Sequence, residues 1–467
     1  MPVDSPIAAT PSRQPGLFGR GYLWVTIGSC ALVFLSAFES LAVTTVMPIV
    51  SADLDGTSLY ALAFAGPLAT GVIGMVVVGN WCDRIGPVVP LYTSTVLFTV
   101  GLIVAGAAST MPMLVGGRLL QGLGSGGTTV ALYVVVARVY PARLHPSIFA
   151  GFAAAWVIPS LVGPVAAGFV AETWSWHWVF LGVVGLVLLA TGMIVPALRG
   201  LERGRGGAPL APWAADRIAW SVIAAGCVLA LDLLADIPII GGVLAVAAAV
   251  LAVVAVRPLL PPATLRAKRG LPSVILLRGL AAAAYFGAEV YLPYLLIADY
   301  QFSAKLAGLA LTLGAVAWAG ASWLQGRMSE TMRHATCTVI GCALVILAIV
   351  VAFVTALFTL DPMIAIVGWA VAGGGMGLMY PRMSTLTLAF SSPGNQGFNS
   401  SALTIADSLG GALALAATGL VFASNSFAGV FVFTAVIGVL ALLIAPRVSP
   451  RRGARAGVPV GDSVALD

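Results

Sequence analysis

Five ionisable side chains stand inside long apolar stretches of this chain: Glu39, Arg118, Arg278, Glu289 and Asp407. Glu39 lies in the stretch SAFESLAVTTVMP, within an apolar run over residues 22–50, and no other charge occurs between Arg20 and Asp53. An acid at mid-bilayer costs roughly 2.5–3.5 kcal/mol unless it is protonated, paired or facing water. Burial disfavours the charged form of a carboxyl group, so such an acid can be neutral in one conformation and ionised in another, where it meets water or a cation. Moving one charge through 100 mV is worth about 2.3 kcal/mol, enough to bias two conformations separated by a few. Arginine keeps its charge, so Arg118 needs a carboxylate or a carbonyl as partner. Asp407, in TIADSLGG, can face a cavity or pair with Arg118 or Arg278. Arg278 and Asp232 stand nearer span ends, where long side chains snorkel. Phe38, Tyr285, Phe286, Tyr291 and Tyr294 lie close to these acids in sequence. They can stack on a cationic or aromatic substrate or simply pack. The expected chemistry is proton or cation exchange.

The elements that must hold these groups are membrane spans. The chain has 467 residues, 60% hydrophobic and 9% charged, with a mean hydropathy of +1.03. Soluble domains are about 25% charged, so this is a polytopic membrane protein of the all-α class, multi-pass in the lipid bilayer. Apolar segments of spanning length run over about residues 22–48, 59–79, 91–109, 111–136, 147–170, 178–198, 218–235, 238–256, 273–297, 306–325, 336–358, 363–381, 397–422 and 427–445. That predicts fourteen crossings with both termini on one side. With the N-terminus in the cytoplasm, all of the 23 lysines and arginines except Lys305, Arg118 and Arg278 fall inside, as basic residues do on cytoplasmic loops. The net charge of +6 is therefore read as a topology signal and not as a nucleic-acid footprint. Cys30, Cys82, Cys227, Cys337 and Cys342 have no metal-ligand spacing and read as free thiols.

The two ends of the chain look like copies of one unit. Gly79 and Asp83 in GNWCD match the form of Gly326 and Glu330 in GRMSE, each after an even-numbered span. Gly122, Gly124 and Gly126 in the fourth span match Gly373, Gly375 and Gly377 in the twelfth. The expected layout is a cytoplasmic tail over 1–21, a six-helix bundle over 22–198 and a linker with two extra spans over 199–270. A second six-helix bundle over 271–446 and a cytoplasmic tail over 447–467 follow. Such repeats are a transporter architecture, and they make the first and ninth spans, carrying Glu39 and Glu289, counterparts.

Four stretches carry a resemblance to the major facilitator superfamily, in particular to its fourteen-helix drug:proton antiporters. The loop GNWCDRIG, with Gly79, Asp83, Arg84 and Gly86, is similar to the superfamily's cytoplasmic signature loop, although Pro87–Pro90 replaces its trailing basic residues. The stretch RLLQGLG, beginning at Arg118, resembles the motif whose intramembrane arginine is implicated in proton coupling. Gly163 and Pro164 in the fifth span resemble the core of the antiporter motif, with Pro159 and Ala167 where glycines are usual. That third stretch is followed by WSWHWVF, from Trp174, which resembles the family's interfacial segment with His177 in an arginine's place. Glu39, nine residues before Pro48, stands at a position that is acidic in these antiporters, as Glu for the usual Asp. The resemblance implies two six-helix bundles plus two central helices and a gate at the signature loop. It further implies a bending helix at Gly163–Pro164 and a monomeric exporter of lipophilic or cationic small molecules driven by protons across the plasma (inner) membrane.

The same fold would serve an exporter of one endogenous metabolite, lipid or siderophore. An ATP-driven pump or enzyme is disfavoured: there is no phosphate-binding loop, and Lys268 and Lys305 are the only lysines. His145, His177 and His334 have no metal spacing. No cofactor, metal or nucleic acid is expected.

Overall fold

The computed structural model describes residues 16–19, 21–56, 59–202, 212–234, 241–302, 304–328, 332–422 and 426–449. The outer turn expected at Asp236–Ile237, Glu330 of the repeat, the side chains of Asp232, Lys305 and Pro164, and most of both tails lie outside the described residues.

The described residues form helices and no strand. Two compact units divide the chain, 1–214 and 215–467. The first contains α1 (Leu23–Asp53), α2 (Tyr60–Ile85), α3 (Val88–Gly106), α4 (Met111–Val139), α5 (His145–Ala154), α6 (Val157–Thr173) and α7 (His177–Glu202). The second contains α8 (Ala215–Leu234), α9 (Gly241–Val256), α10 (Leu271–Glu289), α11 (Tyr291–Ala298), α12 (Ala304–Arg327), α13 (His334–Phe358), α14 (Pro362–Ala389), α15 (Gln396–Phe422) and α16 (Phe427–Ile444). Each predicted apolar segment coincides with a helix or a broken pair of helices. Eleven helical segments among the described residues are long and apolar enough to cross a membrane.

Two spans are interrupted in their helical hydrogen bonding a few residues before a proline, while the backbone at Ala155, Trp156 and Val290 keeps helical angles. A proline has no N–H for the carbonyl four residues earlier. Pro159 thus frees the carbonyl of Ala155, at the junction of α5 and α6, and Pro293 frees that of Glu289, where α10 gives way to α11. In the fifth span the helical hydrogen bonding lapses at Ala155–Trp156, before Pro159, and α6 runs through Gly163–Pro164. The first span likewise continues past Pro48 to Asp53.

Glycines set the close approaches, and they do so twice in the same way. A Cβ on Gly122 would strike the carbonyl of Pro67, and one on Gly126 that of Gly71, so α4 lies directly on α2. Gly124 faces Ser94 and Phe98 of α3. In the second unit Gly373 meets Gly314 and Gly377 meets Trp318 on α12, while Gly375 meets Gly341 of α13. The alternate glycines of α4 and of α14 thus face equivalent neighbours, and small residues allow that contact in lipid. The extra pair, α8 and α9, belongs to the second unit, where Ala248 packs on Leu413 and Ala416 of α15.

Candidate functional site

In the first unit, α1 and α4 bring Glu39 and Arg118 together as a buried ion pair, each 5–6% exposed. Arg118 Nη1 donates to Glu39 Oε1 and to Gln121 Oε1 at 2.9 Å, and Nε donates to the Ala63 carbonyl at 3.1 Å. Gln121 is one helical turn from Arg118, so the guanidinium is held by its own helix as well as by α1 and α2. The acid and the arginine thus supply each other's partner. Phe38, next to Glu39, turns toward α6, where a Cβ on Gly163 would make ordinary contact, 3.7 Å from the Phe38 ring and 3.8 Å from Leu41 Cβ. Gly163 is a packing contact beside the ion pair.

In the second unit, Arg278 of α10 pairs with Asp407 of α15. Nε donates to Oδ1 at 2.8 Å and Nη2 to Oδ2 at 3.5 Å. The Tyr380 hydroxyl of α14 donates to the same Oδ1 at 2.8 Å, and the guanidinium lies 3.5 Å from the Tyr380 ring centre. Arg278 is 7% exposed, so it is buried and paired and does not snorkel. Asp407 takes Arg278, not Arg118, as partner.

Glu289 sits at the break between α10 and α11, half-buried. Its carboxyl faces the Tyr285 hydroxyl and the Trp369 indole N–H. Tyr285 and Trp369 are wholly buried, and the Trp369 Nε1, though it faces the carboxyl, makes no hydrogen bond. Around them lies an aromatic cluster: Tyr285 to Trp369 at 5.2 Å, Tyr285 to Trp318 at 5.4 Å, Phe286 to Trp318 at 6.4 Å and Trp318 to Tyr380 at 5.0 Å between ring centres. Tyr291 is not part of it; it packs on Phe422 at 5.1 Å. Sequence reasoning missed Trp369 and Trp318, which read as ordinary apolar residues of their spans. The repeat glycines are the signal that could have found Trp369, because it stands one turn before Gly373 as Arg118 stands one turn before Gly122.

At the end of α2, Gly79, Asp83 and Arg84 lie within the helix and Gly86 terminates it at φ +81°, a conformation suited to glycine. Asp83 lies in the last turn, where the helix dipole disfavours an anion, and Asp83 and Arg138 both lie against buried Cys82. The Arg84 guanidinium stands 4.5 Å from the Trp213 ring centre. Asn80 Oδ1 accepts from the Ala214 N–H at 3.4 Å, and Trp81 meets Trp213 at 6.2 Å. The end of the linker is therefore seated on the signature loop, through a tryptophan the sequence reading passed over. At the far end of α1, Trp176 Nε1 donates to Asp53 Oδ2 at 2.9 Å, while Trp174 and Trp178 are exposed. Of that tryptophan segment, the two exposed rings suit interfacial anchoring and the buried one ties α7 to α1. Arg382, expected outside its span, is buried within α14 and donates to the Met328 carbonyl at 3.3 Å.

Apolar helices long enough to cross a membrane, with two ion pairs buried among them, define a polytopic membrane protein. The sequence pattern of the Major Facilitator Superfamily matches residues 29–414, and the chain belongs to that family. Curated relatives include an uncharacterized transporter of Schizosaccharomyces pombe, 36% identical over 32% of this chain and 25% of that protein. An efflux pump of Gibberella fujikuroi is 26% identical over 42% of this chain and 36% of its own length. A transporter of the acurin A biosynthesis cluster in Aspergillus aculeatus is 30% identical over 32% of this chain and 26% of its own. The matched stretches thus span about a quarter to a third of these relatives. Among solved structures, the human organic anion transporter MFSD10 aligns at TM-score 0.66 and 14% identity, covering 90% of this chain and 99% of that one. The proton:xylose symporter XylE aligns at 0.65 and 14%, covering 90% and 94%. These two likenesses speak to fold.

Proposed function

We propose that this chain is a proton-coupled secondary transporter that exports lipophilic or cationic small molecules by alternating access. It crosses the plasma membrane fourteen times as a monomer with both termini in the cytoplasm. The bundles over 22–198 and 271–446 do the transport, and the region over 199–270 joins them. The observation that carries this reading is the Glu39–Arg118 pair, buried on α1 and α4 of a superfamily member. A buried pair is weak evidence for stability, since apolar replacements are often as stable; retaining charge at that depth fits a role in switching. Proton coupling is further supported by two more embedded acids, and export by the efflux pump among the relatives.

The test is transport of ethidium by the purified chain in proteoliposomes under an imposed pH gradient. Ethidium movement that follows the gradient and stops when it is collapsed is expected. Movement that needs ATP, or none at all with ethidium or other lipophilic dyes, counts against the proposal. The relative from a biosynthesis cluster favours a second reading, export of a single metabolite of the host. Under that reading the dyes are ignored, while one component of a culture extract is moved along the gradient.

A further inference from the structure

The geometry points to Glu289 as the acid that binds and releases the coupled proton, with Tyr285 and Trp369 the neutral donors that face its carboxyl; this rests on the proton-coupled reading above. Of the three embedded acids, two are neutralised by arginine, Glu39 by Arg118 and Asp407 by Arg278. Among the described residues no arginine, lysine or histidine forms an ion pair with Glu289. The internal repeat shows why. Gly122 and Gly373 contact α2 and α12 in the same manner, so the residues one turn earlier, Arg118 and Trp369, are equivalent. Each faces the acid of the counterpart helix, Arg118 facing Glu39 and Trp369 facing Glu289. The first unit answers its acid with a permanent cation and the second with a neutral N–H. Glu39 and Asp407 each have a cation in contact, whereas Glu289 has none among the described residues. A carboxyl met only by neutral donors can exist in both forms, and the change in charge is left uncompensated, as coupling requires.

The surroundings agree from every side. On α10 itself Tyr285 faces the carboxyl and Arg278 is committed to Asp407. From α14 come Trp369 and, beyond Tyr285, Tyr380, whose hydroxyl is taken by Asp407. From α12 comes the Trp318 ring, from α15 Asp407 in its own pair, and from α16 Thr434, beside Gly287. Tyr291 of α11 turns to Phe422. Pro293 leaves the Glu289 carbonyl without its helical donor, so an unpaired backbone acceptor lies beside the carboxyl in a span that otherwise keeps helical angles. Glu289 is also half-buried where Glu39 is closed off. In the step itself the carboxyl O–H bond breaks and the proton passes to water. The carboxylate left behind accepts from the Tyr285 hydroxyl and the Trp369 N–H, and reprotonation by water-borne hydronium reverses this.

pH-difference infrared spectroscopy of the purified full chain in lipid reads the carboxyl directly. The wild type is expected to show a protonated-carboxyl C=O band that disappears as pH rises. Glu289→Gln should abolish that band, and Glu39→Gln and Asp407→Asn should keep it. Trp369→Phe, which retains the ring and loses the donor, should keep the band and shift its frequency, a change that a packing role alone would not make. The assignment is overturned if the band survives in Glu289→Gln, vanishes in either other acid variant, or is insensitive to Trp369→Phe. Ethidium exchange measured in parallel separates the two proposals. Gradient-driven transport by the wild type with the band unaffected in Glu289→Gln overturns this assignment alone. A wild type that moves nothing along the gradient overturns the transport reading and the coupling role with it.

Discussion

Removing one member of the Glu39–Arg118 pair leaves the other as an uncompensated buried charge, a loss of about 3–5 kcal/mol in comparable sites. Arg118→Ala and Glu39→Ala should each lower the unfolding temperature of the purified protein markedly. The double variant Glu39→Leu with Arg118→Met removes both charges at similar volume and should recover most of that stability while failing to transport ethidium. Recovery of transport by the double variant would reduce the pair to a structural contact. All five embedded charges were legible in the sequence because each interrupts an apolar run. Their partners were not. Asp407 could have met either arginine, since the choice depends on how α15 is rotated against α10, and a run of apolar residues on all sides carries no rotational signal. Trp369 was invisible for a related reason: its type is ordinary in a membrane span, and only its place opposite Glu289 makes it a donor.

At the scale of elements, the glycine spacing was legible and proved accurate about contact. Gly126 and Gly377 have another backbone where a Cβ would sit, whereas Gly374 has nothing within 4 Å. Gly126→Ala and Gly377→Ala should therefore each cost about 1–3 kcal/mol, as overpacked sites do, and Gly374→Ala should leave thermal stability unchanged. Equal effects at all three would mean that helix propensity, not interhelical contact, sets the role of these glycines. Proline position was readable too, and which proline interrupts the helical hydrogen bonding was not. Gly163–Pro164 drew attention through its likeness to a motif, yet the break falls at Ala155–Trp156. The physical effect of a proline is felt four residues earlier, at the carbonyl it leaves unpaired. The same rule applied to Pro293 places the second interruption at Glu289, so that an embedded acid and an unpaired backbone carbonyl coincide. Pro293→Ala restores the missing N–H. It should join α10 to α11 and slow gradient-driven ethidium transport without abolishing ethidium binding; an unchanged rate would separate the break from the transport cycle.

For the whole chain, α8 and α9 decide the count of crossings. They join the second unit through Ala248, Leu413 and Ala416, and α9 is only 16 residues long, about 24 Å at 1.5 Å per residue. That is short for a hydrocarbon core of about 30 Å, although the residues before Gly241 lie outside the described structure. If α8 and α9 each cross, Asp216 and Arg266, which flank the pair and are exposed, lie on the same face of the membrane. In a variant with Cys30, Cys82, Cys227, Cys337 and Cys342 replaced by alanine, single cysteines can be placed at exposed positions throughout. A membrane-impermeant maleimide added to intact cells should label Ser109→Cys and Thr359→Cys, in the predicted outer turns. Asp216→Cys, Arg266→Cys and Ser392→Cys should react only after the membrane is opened. Labelling of Asp216→Cys and Arg266→Cys from opposite sides would make the number of crossings between them odd. The basic residues at 257, 266, 268 and 269 would then sit outside, against the tendency of such residues to stay in the cytoplasm. The charge pattern that predicted fourteen crossings and the structure of this short helix thus bear on the same two cysteines, and labelling of both from the cytoplasm alone is the expected result.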